Sequence, residues 1–225
     1  MIKELPIFVN ILFGITVLGT IAWFYLATKS KTFLIVAIGW TTLQTILGLS
    51  GIYQDTEAMP PRIMVFGFLP ALMLIVTTFL TSKGNAFIDR INLQTLTYFH
   101  TIRIPVEIIL TLLYYQGVMS ILITFEGTNF DLFSGITAPI IAYFAFRTNK
   151  KNKKLLLSWN VLCLLLLLNV VITAIFSTPF PFQKFSFDQP NIAILYFPFH
   201  LLPTVIVPTV LFGHLVTIKR LIKNK

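Results

Sequence analysis

Charge is scarce in this sequence: only 11% of its 225 residues are Asp, Glu, Lys or Arg, against about 25% in ordinary soluble domains. With 56% hydrophobic residues, that scarcity excludes a water-soluble globular fold of the usual kind. Cysteine is almost missing. Cys163 is the only one and lies in a leucine-rich run, which excludes a disulfide framework and any multi-cysteine metal site within one chain; a small packed residue is its expected role. Catalytic signatures are lacking as well, with no Gly-x-Ser-x-Gly, no P-loop and no His-Glu-x-x-His. No lysine lies between Asn191 and Ile218 to carry a retinal Schiff base. The N-terminus lacks a basic region followed by a small-residue cleavage site, so the first apolar run reads as a retained helix and not a signal peptide.

What the chain does have is long apolar runs. A bilayer core about 30 Å thick takes roughly 20 residues of helix. Seven segments qualify: 6–27, 32–53, 63–82, 98–123, 131–147, 155–177 and 191–216. The predicted fold class is therefore all-α, a polytopic membrane protein of seven transmembrane helices in one domain covering 1–225. A net charge of +9 suggests nucleic acid at first sight, but its placement argues against that partner. Lys29, Lys31, Lys83, Arg90, Arg147, Lys150, Lys151, Lys153, Lys154, Lys219, Arg220, Lys223 and Lys225 all fall on one side of the seven spans. The other side receives only Lys3, Arg62 and Lys184, and Arg103 lies inside a span. The positive-inside rule makes the basic side cytoplasmic, with the N-terminus out and the C-terminus in. The predicted location is a cytoplasmic membrane of bacterial type, and the lipid bilayer is the one partner the composition implies. Nothing in the chain specifies an oligomeric state.

A weak internal repeat accompanies this layout. Residues 12–31 and 132–151 share seven identities without gaps: Leu12, Phe13, Ile21, Ala22, Phe24, Thr28 and Lys31 match Leu132, Phe133, Ile141, Ala142, Phe144, Thr148 and Lys151. A one-residue shift then aligns Trp40 with Trp159 and Ser50 with Asn169. Phe66-Gly67-Phe68-Leu69-Pro70 aligns with Phe197-Pro198-Phe199 and Pro203 across a two-residue gap. The first and fifth spans run in the same direction, so the pattern predicts parallel repeats, 6–82 and 131–216, joined by an inverting helix, 98–123. In this 3+1+3 layout the chain resembles the SWEET and PQ-loop carriers. Layout alone carries the likeness, because the Pro-Gln pair is absent and Gln189-Pro190 has the reverse order. Separately, the stretches Thr124-Phe-Glu-Gly-Thr-Asn-Phe-Asp131 and Gly135-Ile-Thr-Ala-Pro139 resemble those of uncharacterised bacterial seven-helix membrane proteins, which implies a family and no activity.

Polar residues inside a span are costly and are the first functional candidates. In the fourth span His100, Arg103, Glu107, Thr111 and Tyr114 recur at three- and four-residue spacing on one helical face. Arg103 and Glu107 are expected to pair, with Pro105 disturbing the ladder near Thr101; a structural ion pair and a ligand or proton site are the two readings. In the seventh span Pro198, Pro203 and Pro208 read as hinges, with His200 and His214 beside them. The fourteen residues separating those histidines are a haem-holding spacing, but only His100 remains as a further histidine ligand, so haem is disfavoured and no cofactor is predicted. Asn160 and Asn169 lie nine residues apart and therefore on different faces of the sixth span. Glu126, Asp131 and Asp188 are assigned to the outer rim. Phe180, Phe182, Phe185 and Phe187 read as interfacial anchors, or alternatively as a lid over an outward-facing cavity. These residues predict a carrier or channel-like protein for a small polar solute, with the fourth, sixth and seventh helices lining the path. The rivals are a ligand-binding or sensor protein that does not transport and, further off, an intramembrane haem protein or enzyme.

Overall fold

The computed structural model describes residue 2 and residues 5–147 and 152–223. Lys3, Thr148, Lys150, Lys151 and Lys225, used in the charge and repeat readings, lie outside the described residues. The described residues form helices α1 (Ile7–Thr28), α2 (Lys31–Leu49), α3 (Met64–Leu80), α4 (Ser82–Arg90), α5 (Leu93–Tyr115), α6 (Asp131–Phe146), α7 (Lys153–Phe176) and α8 (Leu202–Lys223), with no strand among them. Five of these, α1, α2, α5, α7 and α8, are long and apolar enough to cross a membrane. α3 and α4 meet at a 90° bend, where the Thr81 side chain caps α4 by accepting from the Gly84 N–H. α6 has only 16 residues.

The outward surfaces show which solvent this bundle is built for. Along α1, Val9, Phe13, Val17 and Phe24 are buried while Ile7, Ile11, Ile15 and Leu18 face outward. Both faces are apolar. A helix bordering water would turn polar residues outward, yet Ile35 is 70% exposed and Leu80 78%. α2 carries the inversion further, since its only buried residues are Gln44 and Gly48. Polar and small residues at helix contacts, with hydrocarbon facing out, are what a lipid environment selects.

Within the bundle α1 packs on α2, α5 and α8, α6 lies between α5 and α7, and α8 packs on α3 and α7. Phe24 anchors the centre, with ring centroids 5.4 Å from Phe99 and 5.8 Å from Phe212. Two spans depart from their sequence limits. Apart from one 3-10 turn at Ala193–Leu195, the seventh apolar segment is helical only from Leu202 onward, because Pro198 cannot donate to a ladder and Asn191 is committed to loop contacts, accepting from Ser120 N–H and donating to the Ala174 carbonyl. The fourth segment ends at Tyr115, and the chain after it folds into turns.

Proline shapes α3 and α8 in the same way. Each opens with a five-residue stretch of wide helix, Met64–Phe68 and Leu202–Ile206. Pro70 follows the first stretch by two residues and Pro208 follows the second by two; Pro60 and Pro198 each precede their stretch by four. These two spacings match without a gap, whereas the alignment read from sequence uses a gap of two residues. Pro70 has no N–H to offer the Phe66 carbonyl, and Pro208 has none for Thr204. Both carbonyls are taken by α2: Trp40 Nε1–H donates to Thr204 O at 2.8 Å and Gln44 Nε2–H to Phe66 O at 2.9 Å. A neighbouring helix thus satisfies the backbone groups that proline frees, the condition for tolerating proline inside a membrane.

Candidate binding site

α5 changes character where the sequence carries His100, Thr101 and Ile102. This turn is tighter than α-helix, since Pro105 cannot donate to the Thr101 carbonyl. Beyond it Arg103 and Glu107 point inward, both 4% exposed.

The partner of Arg103 is not Glu107. Its Nη1 donates to Asp131 Oδ1 at 2.6 Å in a buried ion pair, and this corrects both the expected Arg103–Glu107 pairing and the assignment of Asp131 to the rim. Asp131 begins α6 below the surface of the bundle, and Gly135, one turn on, explains how it gets there. A Cβ at Gly135 would press on Ile104 and on Arg103 Cβ, so glycine alone lets α6 approach α5 this closely. The Asp131 N–H is held by Asn129 Oδ1 at 2.9 Å and Ser134 Oγ–H lies 3.4 Å from the carboxylate. The helix N-terminus favours the negative charge further.

Arg103 Nη2 also lies 2.9 Å from His214 Nε2. A guanidinium can only donate, so His214 accepts through Nε2 and carries its hydrogen on Nδ1. Nδ1 then donates to Asn160 Oδ1 at 2.8 Å, and Asn160 Nδ2 donates to the Leu156 carbonyl at 2.8 Å. One directed chain of donors therefore runs from Arg103 through His214 and Asn160 into α7. His100 stacks on His214 with ring centroids 3.9 Å apart and planes at 15°. Stacked face to face, the two rings do not aim nitrogens at each other across a slot. Among the described residues no three His, Cys, Asp or Glu side chains converge as a metal site.

Glu107 is held by the loop before α6. It accepts from the Phe125 N–H and, at 2.7 Å, from Asn129 Nδ2. Residues 124–131 therefore wrap both ionic side chains of α5.

Above these groups is a cavity of about 110 Å³. Arg103, Glu107, Asn129 and Asp131 form its polar end, and its walls are hydrocarbon from α3, α5, α7 and α8, including Met64, Leu110, Val171 and Leu202. The end of the bundle away from Lys83 and Arg90 is closed by two interlocked loops: Gln189 Nε2 donates to the Tyr114 and Met119 carbonyls, and Ala193 N–H to the Val118 carbonyl. Phe180 is buried beneath them while Phe187 is 68% exposed. The wall residues Met64, Val171 and Ala174 are themselves only half-buried.

Other sequence candidates fall elsewhere. Thr111 and Tyr114 are half-buried further along α5 and do not line the cavity. Asn169 is exposed and donates to the Thr128 carbonyl, so it does not join Asn160. His200 belongs to a second cluster: its Nε2–H donates to the Gln44 carbonyl at 2.8 Å, and Tyr53 donates to Gln44 Oε1 at 2.7 Å. The proline hinge is corrected in two respects. Pro198 precedes α8, and Pro203 sits in its first turn, where an N–H would have no helical acceptor anyway; only Pro208 lies within the helix body. Sequence reasoning missed Asn129, Gln44 and the role of Asp131. One signal was there to use, because Arg103 lies well inside an apolar span and an acid opening an unusually short span is the natural counterion.

Hydrocarbon outside and a chain of charged and polar groups inside define an integral membrane protein of the all-helical class with a built polar site. The chain belongs to the family described as Domain of unknown function (DUF8737), whose sequence profile matches residues 60–222. The match takes in α3 to α8 and every residue of the Arg103 cluster; α1 and α2 precede it. No curated protein and no solved structure matches the chain.

Proposed function

We propose that this protein binds a small, largely apolar molecule within the bundle, with a polar group of the ligand held at Arg103, Glu107, Asn129 and Asp131. One observation carries the reading: a cavity of about 110 Å³ that is apolar on its walls and ionic at one end. Pockets of this composition fix orientation through a few polar groups and draw affinity from the walls. Half-buried wall residues such as Met64, Val171 and Ala174 support entry of the ligand from the bilayer. Seven crossings with the N-terminus out fit both the charge asymmetry and a short α6, since the loop before Asp131 continues inside the bundle. The basic end then faces the cytoplasm of a bacterial-type cell.

A second reading, a carrier for a small polar solute, is favoured by the matched wide-helix stretches of α3 and α8, which touch where a Cβ at Gly67 would collide with Thr204 Cγ2. These matched stretches also support a 3+1+3 repeat. The test of the binding reading is native mass spectrometry of the full chain released from membranes, comparing wild type with Val171→Trp, which fills the cavity. An adduct present in wild type and lost in the variant supports binding at this site; an adduct retained in both places the ligand elsewhere and overturns it. Counterflow of solutes in proteoliposomes tests the carrier.

A further inference from the structure

Three cations at the end of α8 are turned toward the segment that joins α4 to α5. Lys219 Nζ donates to Asn85 Oδ1, Arg220 Nη1 to the Ile91 carbonyl and Lys223 Nζ to Asp89 Oδ2. Asp89 is the only acid in the loops and helix ends that carry the basic residues. It is paired with Lys223, so Lys219 and Arg220 are held by neutral oxygens and their charges are not cancelled there.

Arg220, itself half-buried, lines a cleft of about 280 Å³ together with Ile91, Asn92, Leu93, Gln94 and Phe146. α1 ends beside this cleft, because the Asn92 N–H donates to the Ala27 carbonyl at 2.9 Å; α6 ends there at Phe146. The chain places a cation at each of these approaches. Lys29 follows Ala27 by two positions, Arg90 precedes Ile91 and Arg147 follows Phe146. All three are exposed, and none has an ionic partner among the described residues. Just along α1 and α6 the surface turns to hydrocarbon, with Leu26 49% exposed and Phe144 55%.

A cleft rimmed by cations and bordered by exposed hydrocarbon suits an amphiphile whose head carries net negative charge. A free anion would use the rim alone, and a choline head would bring an ammonium against it. Basic pockets between transmembrane helices are known to take anionic lipid heads, and guanidinium groups match phosphate oxygens in geometry as well as charge. We propose that this cleft holds the head group of an anionic phospholipid, its phosphate at Arg220 and the rim cations, its acyl chains along Leu26 and Phe144. The site shares no lining residue with the Arg103 cavity and does not depend on the binding reading above.

The test is native mass spectrometry of the full chain in detergent, titrated with phosphatidylglycerol or phosphatidylcholine of matched acyl chains. Wild type should bind one phosphatidylglycerol about tenfold more tightly than phosphatidylcholine. Arg90→Gln combined with Arg147→Gln removes two rim charges and should abolish most of that preference. Lys31→Gln combined with Lys83→Gln removes as much charge from helix starts that adjoin no lining residue, and should leave the preference nearly intact. Equal losses in the two variants would reduce the effect to a diffuse basic field and overturn the site, as would equal affinity of wild type for both lipids. Inorganic phosphate in excess should not displace the lipid; displacement would make the cleft a free-anion site and overturn the lipid as occupant. Should the Arg90 and Arg147 variant fail to fold, a phosphatidylglycerol with a diazirine in its head group decides on the unaltered chain. Its cross-links are expected at Gln94 and Phe146, and cross-links spread over the lipid-facing surface instead would overturn the proposal.

Discussion

The counterion of a guanidinium that is only 4% exposed is chosen by geometry and not by proximity in sequence. Glu107 is one helical turn away on the same helix, but its carboxyl group is already engaged by Phe125 and Asn129 from the loop. Asp131, on another helix, closes on Arg103 at 2.6 Å. Removing one partner of a buried pair costs roughly 3–5 kcal/mol, while replacing both can be nearly neutral. Asp131→Ala should therefore destabilise the protein by about that amount, and Arg103→Met combined with Asp131→Ala should recover most of it. The same cycle between Arg103 and Glu107 should show much weaker coupling. Unfolding midpoints in detergent check both cycles, and equal coupling in the two would contradict the pairing described.

Among the five long apolar helices, α2 is the least buried and has the clearest mechanical duty. Trp40 and Gln44, one turn apart, reach the carbonyls that Pro208 and Pro70 leave without helical donors. Trp40→Phe should cost on the order of 1–2 kcal/mol, in the range of interhelical hydrogen bonds in membranes. Pro208→Ala gives the Thr204 carbonyl a donor within α8, so Trp40→Phe should cost less in that background. An identical cost in both backgrounds, measured as unfolding free energy in detergent, would mean that the indole bond does not replace a missing helical one. α4 makes a different contact, outside the spans, where Lys223 Nζ donates to Asp89 Oδ2 at 2.9 Å. That hydrogen bond holds the Asp89 carboxyl below its usual value of 3.8, helped by the charges of Lys223, Arg220 and Lys219. A depressed folded-state value means the docking contribution is fully present above about 3.8 and is lost as pH falls through the lower folded value. Amide exchange in α4 should accordingly stay protected at neutral pH and rise selectively in strong acid. Lys223→Met should remove that pH dependence.

For the whole molecule, the asymmetry of charge makes the sharpest prediction. A reporter fused behind Lys223 should lie in the cytoplasm, and reporters inserted near Asp55 or Lys184 should lie outside, because basic loops resist translocation. Opposite labelling at these sites would invert the bundle and place the closed loop end inside. The two interlocked loops cover that end of the bundle, through the Gln189 and Ala193 hydrogen bonds.

The sequence by itself determined the solvent, the helical class and the positions where apolar segments run, because hydrocarbon length and backbone satisfaction leave a membrane chain few alternatives. It also placed His100, Arg103, Glu107, His214 and Asn160 inside the protein, since polar residues in apolar runs are visible without coordinates. Segment ends were less legible. Residues 191–201 are as apolar as a span, and only the contacts of Asn191 with Ser120 and Ala174 show them to be a loop. Partner choice lay beyond the sequence altogether. Spacing along one helix favours Arg103 with Glu107, whereas close approach of two helices at Gly135 delivers Asp131 instead. A single chain records which groups are costly to bury; only the tertiary packing decides which group relieves which.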